Sequence, residues 1–192
     1  SFFSKLLFRK STTNGYFYEE GALTLTQVKS PQWDENNPLL HMSQTFKDKY
    51  NRVVCKRSYV EENGQIIKVE TYYVYDDFGQ LRTIIPPEAV SQMNQGPSLP
   101  MEPTTEITNK YFFLYNYDDK HRLVEKKVPG KDIEYFIYDP LNRLILSQDG
   151  NLRHDQQGNP RMKWKFVKYD VFSRAIVTGL YTRSEEHTSE LQ

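Results

Sequence analysis

Cysteine is almost missing from this chain. Among 192 residues only Cys55 carries a thiol, so neither an intramolecular disulfide nor a cysteine-based zinc site can form. A lone free cysteine reads as a buried, inert thiol, since a nucleophile needs a histidine partner and the nearest, His41, sits in an unpatterned stretch. Excess charge of either sign is missing as well. The chain balances 25 Lys and Arg against 25 Asp and Glu, whereas a nucleic-acid surface carries a clustered basic surplus. No apolar run approaches the length of a membrane-crossing helix. The phosphate-cradling GxxxxGK pattern, GxSxG and HExxH are all absent. Hydrophobic residues make up only 38% of the chain, less than is usual for a globular protein.

Aromatic residues are what the chain has in abundance. Its 14 Tyr, 11 Phe and 2 Trp are too many for a disordered segment, and Tyr becomes the main material for both core and surface. These aromatics recur in a unit. Tyr73-Val74-Tyr75-Asp76-Asp77-Phe78-Gly79-Gln80-Leu81 is matched by Tyr115-Asn116-Tyr117-Asp118-Asp119-Lys120-His121-Arg122-Leu123. Further copies run from Phe136 through Tyr138-Asp139 to Arg143-Leu144 and from Val167 through Tyr169-Asp170 to Arg174-Ala175, with a degenerate copy over Phe46-Lys47-Asp48-Lys49-Tyr50-Asn51-Arg52-Val53. A base period of about 21 residues, once doubled and twice enlarged by insertions, accounts for their spacing.

The unit has a mechanical meaning. Aromatics two residues apart share one face of a strand. The Asp suits the first position of a turn, where its carboxylate accepts backbone N–H groups. Three residues later stands a residue that tolerates positive φ: Asn51, Gly79, His121 and Asn142, with Ser173 the poor fit. The Asp–left-handed pairs Asp48/Asn51, Asp76/Gly79, Asp118/His121, Asp139/Asn142 and Asp170/Ser173 therefore predict five hairpin turns. A lone hairpin is marginal in water, so the copies must stack side by side into one aromatic-lined sheet. The expected fold class is all-β, a curved sheet of tandem antiparallel hairpins. Strands are also expected over Gln65–Tyr72 and Arg161–Val167, and Asn63-Gly64 is a hairpin signal.

Two stretches interrupt the pattern. Residues 86–108 hold Pro86, Pro87, Pro97, Pro100 and Pro103 and read as a loop or insertion, with room for a short helical turn over Glu88–Met93. The polar, turn-rich stretch from Asp149 to Pro160 reads as a second insertion.

Both ends stand apart. Near Ser1 the apolar residues precede Lys5, Arg9 and Lys10, the reverse of a signal peptide, and this end reads as an arbitrary start. Arg183 to Gln192 is identical to the translation of a widely used short-read sequencing adapter. On that resemblance residues 183–192 are expected to be added sequence that makes no stable contact, with the natural chain continuing past Thr182.

Tyr75-Asp76…Gly79, Tyr117-Asp118…Arg122-Leu123, Tyr138-Asp139…Arg143-Leu144 and Tyr169-Asp170 resemble the YD repeats of bacterial RHS-type proteins. The resemblance covers about Thr45 to Thr182, and more loosely reaches back to Gly15-Tyr16-Phe17-Tyr18. It departs from the pattern at Gln80 in place of Arg, at His121 and Ser173 in place of Gly, and at Lys47 in place of Tyr. The organisation expected is a diverged N-terminal segment over 1–44, itself reading as a degenerate repeat, then a repeat region over 45–182 with its Pro-rich insertion at 86–108. The family implies long secreted or cell-surface proteins whose strands spiral into a hollow shell, often carrying a toxin or effector at the C-terminal end. The family's self-cleaving core segment has no counterpart here, so no catalytic residue carries over.

The chemistry-bearing residues have plain explanations. Five Asp in equivalent turns are turn formers, because an enzyme uses an acid once or in pairs. Asp149, Asn151 and Asp155 offer oxygen ligands for calcium but lack the EF-hand order. His121 and His154 have no acid or nucleophile at motif spacing. The expectation is therefore a non-enzymatic wall segment with no cofactor, no nucleic acid and no membrane span. Its partners are further repeats and a C-terminal effector of the same chain. The alternative is a binding module in which Tyr73, Tyr75, Tyr115 and Tyr117 stack on surface carbohydrate or hold a protein, against the plainer reading that they pack cross-strand.

Overall fold

The computed structural model describes residue 18 and residues 21–93, 104–155, 157, 158, 160, 161 and 163–182. The adapter-like tail, the Gly15-Tyr16-Phe17 copy and the middle of the Pro-rich insertion lie outside the described residues. The chain divides into two compact units, residues up to Phe113 and residues from Leu114 onward.

The first unit is a meander of five antiparallel strands: β1 (Thr24–Lys29), β2 (Met42–Lys47), β3 (Val53–Glu62), β4 (Gln65–Tyr75) and β5 (Leu81–Ile85). Each pairs with the next in sequence. The β2 strand crosses the 44/45 division read from the sequence, because its Met42 and Gln44 are already buried against the sheet's covered side. Two helices follow, α1 (Pro87–Met93) and α2 (Thr105–Tyr111).

Helix α1 falls on the short helical turn expected over Glu88–Met93, while α2 lies where the sequence reads only as a loop or insertion. Pro87 opens α1, where its missing N–H is no loss, and Ala89 and Met93, one turn apart on one face, are both buried. Contacts join α1 to β4 and to α2. Thr104 caps α2 by accepting a 3.2 Å hydrogen bond from Ile107 N–H. Helix α2 also divides the aromatic run Tyr111–Tyr115. Tyr111 closes the helix, Phe112 is completely buried, and the strand begins only at Phe113.

The second unit is itself a meander, of β6 (Phe113–Tyr117, whose first residue is counted with the first unit), β7 (Leu123–Lys127), β8 (Glu134–Tyr138), β9 (Leu144–Gln148), β10 (Lys163–Tyr169) and β11 (Ala175–Thr182). All are paired antiparallel in order. A single helical turn, α3 (Gly150–Arg153), lies between β9 and β10, capped by Asp149 Oδ1, which accepts from Leu152 N–H at 2.9 Å.

Packing differs sharply between the units. Every buried apolar residue among the described residues belongs to the first unit: Met42, Val54, Cys55, Val74, Ile85, Ala89, Met93 and Phe112. In the second unit the only described residue that is buried is Gln148. Most of its Tyr, Phe and Leu side chains are half-buried on a single layer of sheet, and Leu141, Phe172, Leu180 and Tyr181 are exposed. Cross-strand pairing of such side chains contributes about 0.2–1 kcal/mol per pair, so this layer depends on many repeated contacts rather than on a core.

Within each unit the loops sort by end. In the first, turns 48–51 and 76–79 join β2 to β3 and β4 to β5 at one end of the strands, while residues 30–41 and Asn63-Gly64 connect strands at the other. In the second, turns 118–121, 139–142 and 170–173 share one end, and residues 128–133 and 149–162 share the opposite one.

Candidate functional site

The five Asp turns are built alike. Asn51, Gly79, His121, Asn142 and Ser173 have φ of 62°, 82°, 63°, 62° and 62°. Each donates its N–H to the carbonyl of the Asp three residues before it, at 2.9–3.0 Å. Each hairpin also shifts register by one residue beside the turn, at Lys47, Tyr75, Tyr117, Tyr138 and Tyr169. That is the signature of a turn followed by a left-handed bulge residue. Ser173 pays a steric cost that Gly would not, of about 1–2 kcal/mol; the fixed bonding of Asp170 holds it there.

The carboxylate organises each turn through two oxygens with different partners. Asp48 Oδ1 accepts from Tyr50 N–H at 2.9 Å and Arg52 N–H at 3.0 Å, while Oδ2 takes Arg52 Nε at 2.8 Å and Nη2 at 2.7 Å. Asp118 with Arg122, Asp139 with Arg143 and Asp170 with Arg174 repeat the arrangement. Burial raises the Asp48 carboxyl, but the Arg52 guanidinium and the turn N–H groups outweigh it and hold the group below its ordinary range. The Arg122 side chain foremost lowers Asp118, and the backbone N–H groups of Arg143 and Arg174 foremost lower Asp139 and Asp170.

The same arginines then join one turn to the next. Arg52 Nη1 donates to the Asp76 carbonyl at 3.5 Å, Arg122 Nη1 to the Asp139 carbonyl at 3.1 Å, and Arg143 Nη1 to the Asp170 carbonyl at 3.2 Å. Arg122 also reaches Asn142 Oδ1 at 3.0 Å. Each guanidinium lies against the Tyr that precedes the next turn: Arg52 on Tyr75 and Arg122 on Tyr138 at 5.0 Å, Arg143 on Tyr169 at 4.9 Å. Each of those tyrosines in turn donates its hydroxyl to the carbonyl one residue past the previous Arg, at Val53, Leu123 and Leu144, at 2.9–3.0 Å. Asp, Arg and the following Tyr thus form a three-part joint, with bonds to charged groups and a cation–π stack.

Two positions stand outside this joint. Gln80 occupies the place of the arginine after Asp76, which keeps its turn bonds to Phe78 and Gln80 N–H at 3.0 and 2.8 Å. Arg174 pairs with Asp170 but has no following turn among the described residues. Its side chain is 74% exposed and rests on its own Phe172 at 5.3 Å. We expect Gln80→Arg to give Asp76 a bidentate partner and to stabilise the chain by about 0.5–1 kcal/mol, the scale of a well-formed exposed pair. Urea denaturation of the two chains side by side measures this, and an unchanged midpoint would show that the pairing adds nothing at this turn.

The joint was only half legible in the sequence. Arg after the turn stood out merely as the start of a returning strand. The signal lay in its constancy one residue past the left-handed position, at Arg52, Arg122, Arg143 and Arg174.

Of the tyrosines considered for sugar stacking, all four are half-buried. The ring of Tyr75 is taken up by Arg52 and its hydroxyl by Val53. Tyr73 lies 5.9 Å from Lys56 Nζ, and burial raises the Tyr115 hydroxyl. Asp149 and Asp155 spend oxygens on local backbone N–H groups of Leu152 and Gln157. Among the described residues no group of three or more His, Cys, Asp or Glu is arranged to hold a metal ion. Cys55 is buried, and burial together with nearby Glu70 pushes its thiol up to about 11, which removes the thiolate that nucleophilic chemistry needs. Glu70 itself is 4% exposed and takes hydrogen bonds or ion pairs from Arg57 at 2.7 Å, Lys68 at 3.1 Å and Tyr72 at 3.0 Å.

The architecture is all-β, built of consecutive antiparallel hairpins. No protein-family model and no curated protein matches the chain. Solved structures do. A TcdB2–TccC3 structure aligns over 82% of this chain at 17% identity with a TM-score of 0.55. The Photorhabdus luminescens Tc holotoxin pore aligns over 77% at 17% identity with a TM-score of 0.55. This chain spans only 8% and 6% of the length of those two chains. At such identity the likeness establishes the fold: a sheet of consecutive antiparallel strands like a small part of these toxin-complex chains.

Proposed function

We propose that this chain is a stretch of wall from a much larger shell of the RHS, YD-repeat type, and that it acts structurally rather than as an enzyme. The observation that carries this reading is the unequal packing. Among its described residues the second unit is a single sheet layer without a buried apolar side chain, held by a joint that repeats from turn to turn. A free-standing domain of its size buries a core; a wall segment instead relies on neighbours along its length. The likeness to parts of long toxin-complex chains supports it. In this reading the full-length protein is secreted or surface-bound, and its partners are further repeats and a C-terminal effector that the shell encloses or presents.

The reading has a direct test. Strand β1 is exposed along its whole length, and on β11 Ile176, Leu180 and Tyr181 are 62%, 61% and 52% exposed. Such edges pair with other chains. Sedimentation of the chain alone is expected to show concentration-dependent association, and electron microscopy of a longer chain carrying neighbouring repeats to show a hollow shell. A chain that stays monomeric and melts in one sharp transition, or a longer chain without a cavity, would overturn the proposal.

A further inference from the structure

The hairpin of β3 and β4 outreaches the sheet to which it belongs. Strand β2 meets β3 no farther out than Ser58, and β5 meets β4 no farther out than Tyr72, whereas β3 and β4 stay paired out to Glu62 and Gln65. The pairs from Tyr59–Lys68 to Glu62–Gln65 therefore form an arm, about 13 Å long at roughly 3.3 Å per residue. Its tip is the turn Asn63-Gly64, with φ of 53° and 75°, the left-handed pair that closes a tight hairpin. Among the described residues no strand pairs with β4 from Gln65 to Thr71 on the side away from β3.

The arm is apolar where solvent reaches it. Val60, Ile66 and Ile67 are 45%, 44% and 39% exposed, and Gln65 to Lys68 are exposed without interruption. Val60 and Ile67 stand opposite each other and so share a face. An unpaired edge carrying such residues is a template for another strand. Little on the arm guards that edge. Lys68 is drawn toward Glu70 at 3.1 Å, and Glu61 and Glu62 sit on β3, the strand away from it.

We propose that the outer edge of β4 pairs antiparallel with the same edge of a second copy of this chain, about a two-fold axis at Ile67, to give a transient dimer. The register follows from the side chains. With Ile67 on the axis, Val60 and Ile67 join the partner's Ile67 and Val60 in one apolar row across both arms, and Lys68 faces the partner's Ile66. With Lys68 on the axis two ammonium groups would meet, an arrangement that like charges disfavour. With Ile66 there, Ile67 would face Gln65. With Val69 there, Lys68 would face the partner's Glu70, which is buried and already bound by Arg57, Lys68 and Tyr72. An antiparallel arrangement also sends the acidic ends of the two arms, Glu61-Glu62, in opposite directions. The pairing spans only Gln65–Val69, less than a permanent interface needs, which makes the dimer a transient one. It uses neither β1 nor β11, and the inference does not depend on the wall reading.

Cysteine pairing tests the register. Cys55 is the sole native cysteine and is buried, so a single exposed cysteine placed elsewhere reports alone. Residues directly opposite in an antiparallel pair lie within disulfide reach. Under a mild disulfide oxidant, Ile67→Cys is expected to form a covalent dimer at least about ten-fold faster than Glu62→Cys near the tip of the arm. Adding Val60→Lys to the Ile67→Cys chain is expected to slow that dimer at least about five-fold. Thr26→Cys reports separately on association through β1, which keeps the two contacts apart. Hydrogen exchange on the unsubstituted chain is a second measure that needs no variant, and the outward amides of residues 65–69 should gain protection as concentration rises. Dimerisation of Ile67→Cys no faster than that of Glu62→Cys, or exchange over residues 65–69 that is independent of concentration, would each overturn the proposal.

Discussion

Asp48→Ala should destabilise the chain by about 3 kcal/mol, more than truncation at any other turn aspartate. Its side chain is 7% exposed and satisfies the Tyr50 and Arg52 N–H groups and two nitrogens of Arg52. Hydrogen bonds to charged groups are worth about 1.5–3 kcal/mol, and removing one member of a buried ion pair costs about 3–5 kcal/mol because the partner is stranded. Arg52 is 27% exposed, which places the expected loss at the low end of that range. The damage also reaches the next turn, since the same guanidinium holds the Asp76 carbonyl and stacks on Tyr75. Asp48→Asn separates the two roles. It keeps an acceptor for the turn N–H groups but turns an NH2 toward Arg52. Urea denaturation of both variants checks the account, and a loss below about 1 kcal/mol for Asp48→Ala would show that the turn stands without its carboxylate.

Acid should unfold the chain through the same groups. Asp48, Asp118, Asp139 and Asp170 all sit below their ordinary carboxylate range in the folded state. Glu70 does too, because its bonds to Lys68, Arg57 and Tyr72 overcome the upward pull of its burial. The unfolded chain, with Asp near 3.9 and Glu near 4.3, binds protons earlier as pH falls. Stability from these five groups is therefore complete above about pH 5 and drains away as the pH drops through their lower folded values. The urea midpoint is expected to hold from pH 7 to about pH 5 and to fall steeply below pH 4, with the loss reduced in a chain carrying Glu70→Gln. A midpoint that stayed flat down to pH 3 would mean that the turn carboxylates are not the anchors described.

How much of this was written in the sequence depends on the range of the forces involved. The turns were legible because their chemistry is local. Asp, and three residues later a residue fit for positive φ, mark a hairpin within one short window, and even Ser173 follows its neighbours. The joint was not legible, since Arg143 meets Tyr169 and the Asp170 carbonyl only across strands. Helix α2 hid behind the prolines, and its place depends on Phe112 being buried, a tertiary matter.

The sorting of loops by end has an evolutionary reading. Every joint that couples one hairpin to the next lies at the turn end of its unit, whereas the connections at the other end range from the two residues of Asn63-Gly64 to a stretch with a helical turn of its own. Changes in length at that free rim leave the coupling geometry untouched, while a single residue added inside a turn would move an arginine off its tyrosine. Insertions at that rim should therefore be tolerated far better than insertions inside the turns. Diversity and assembly are assigned to opposite ends of the same strands.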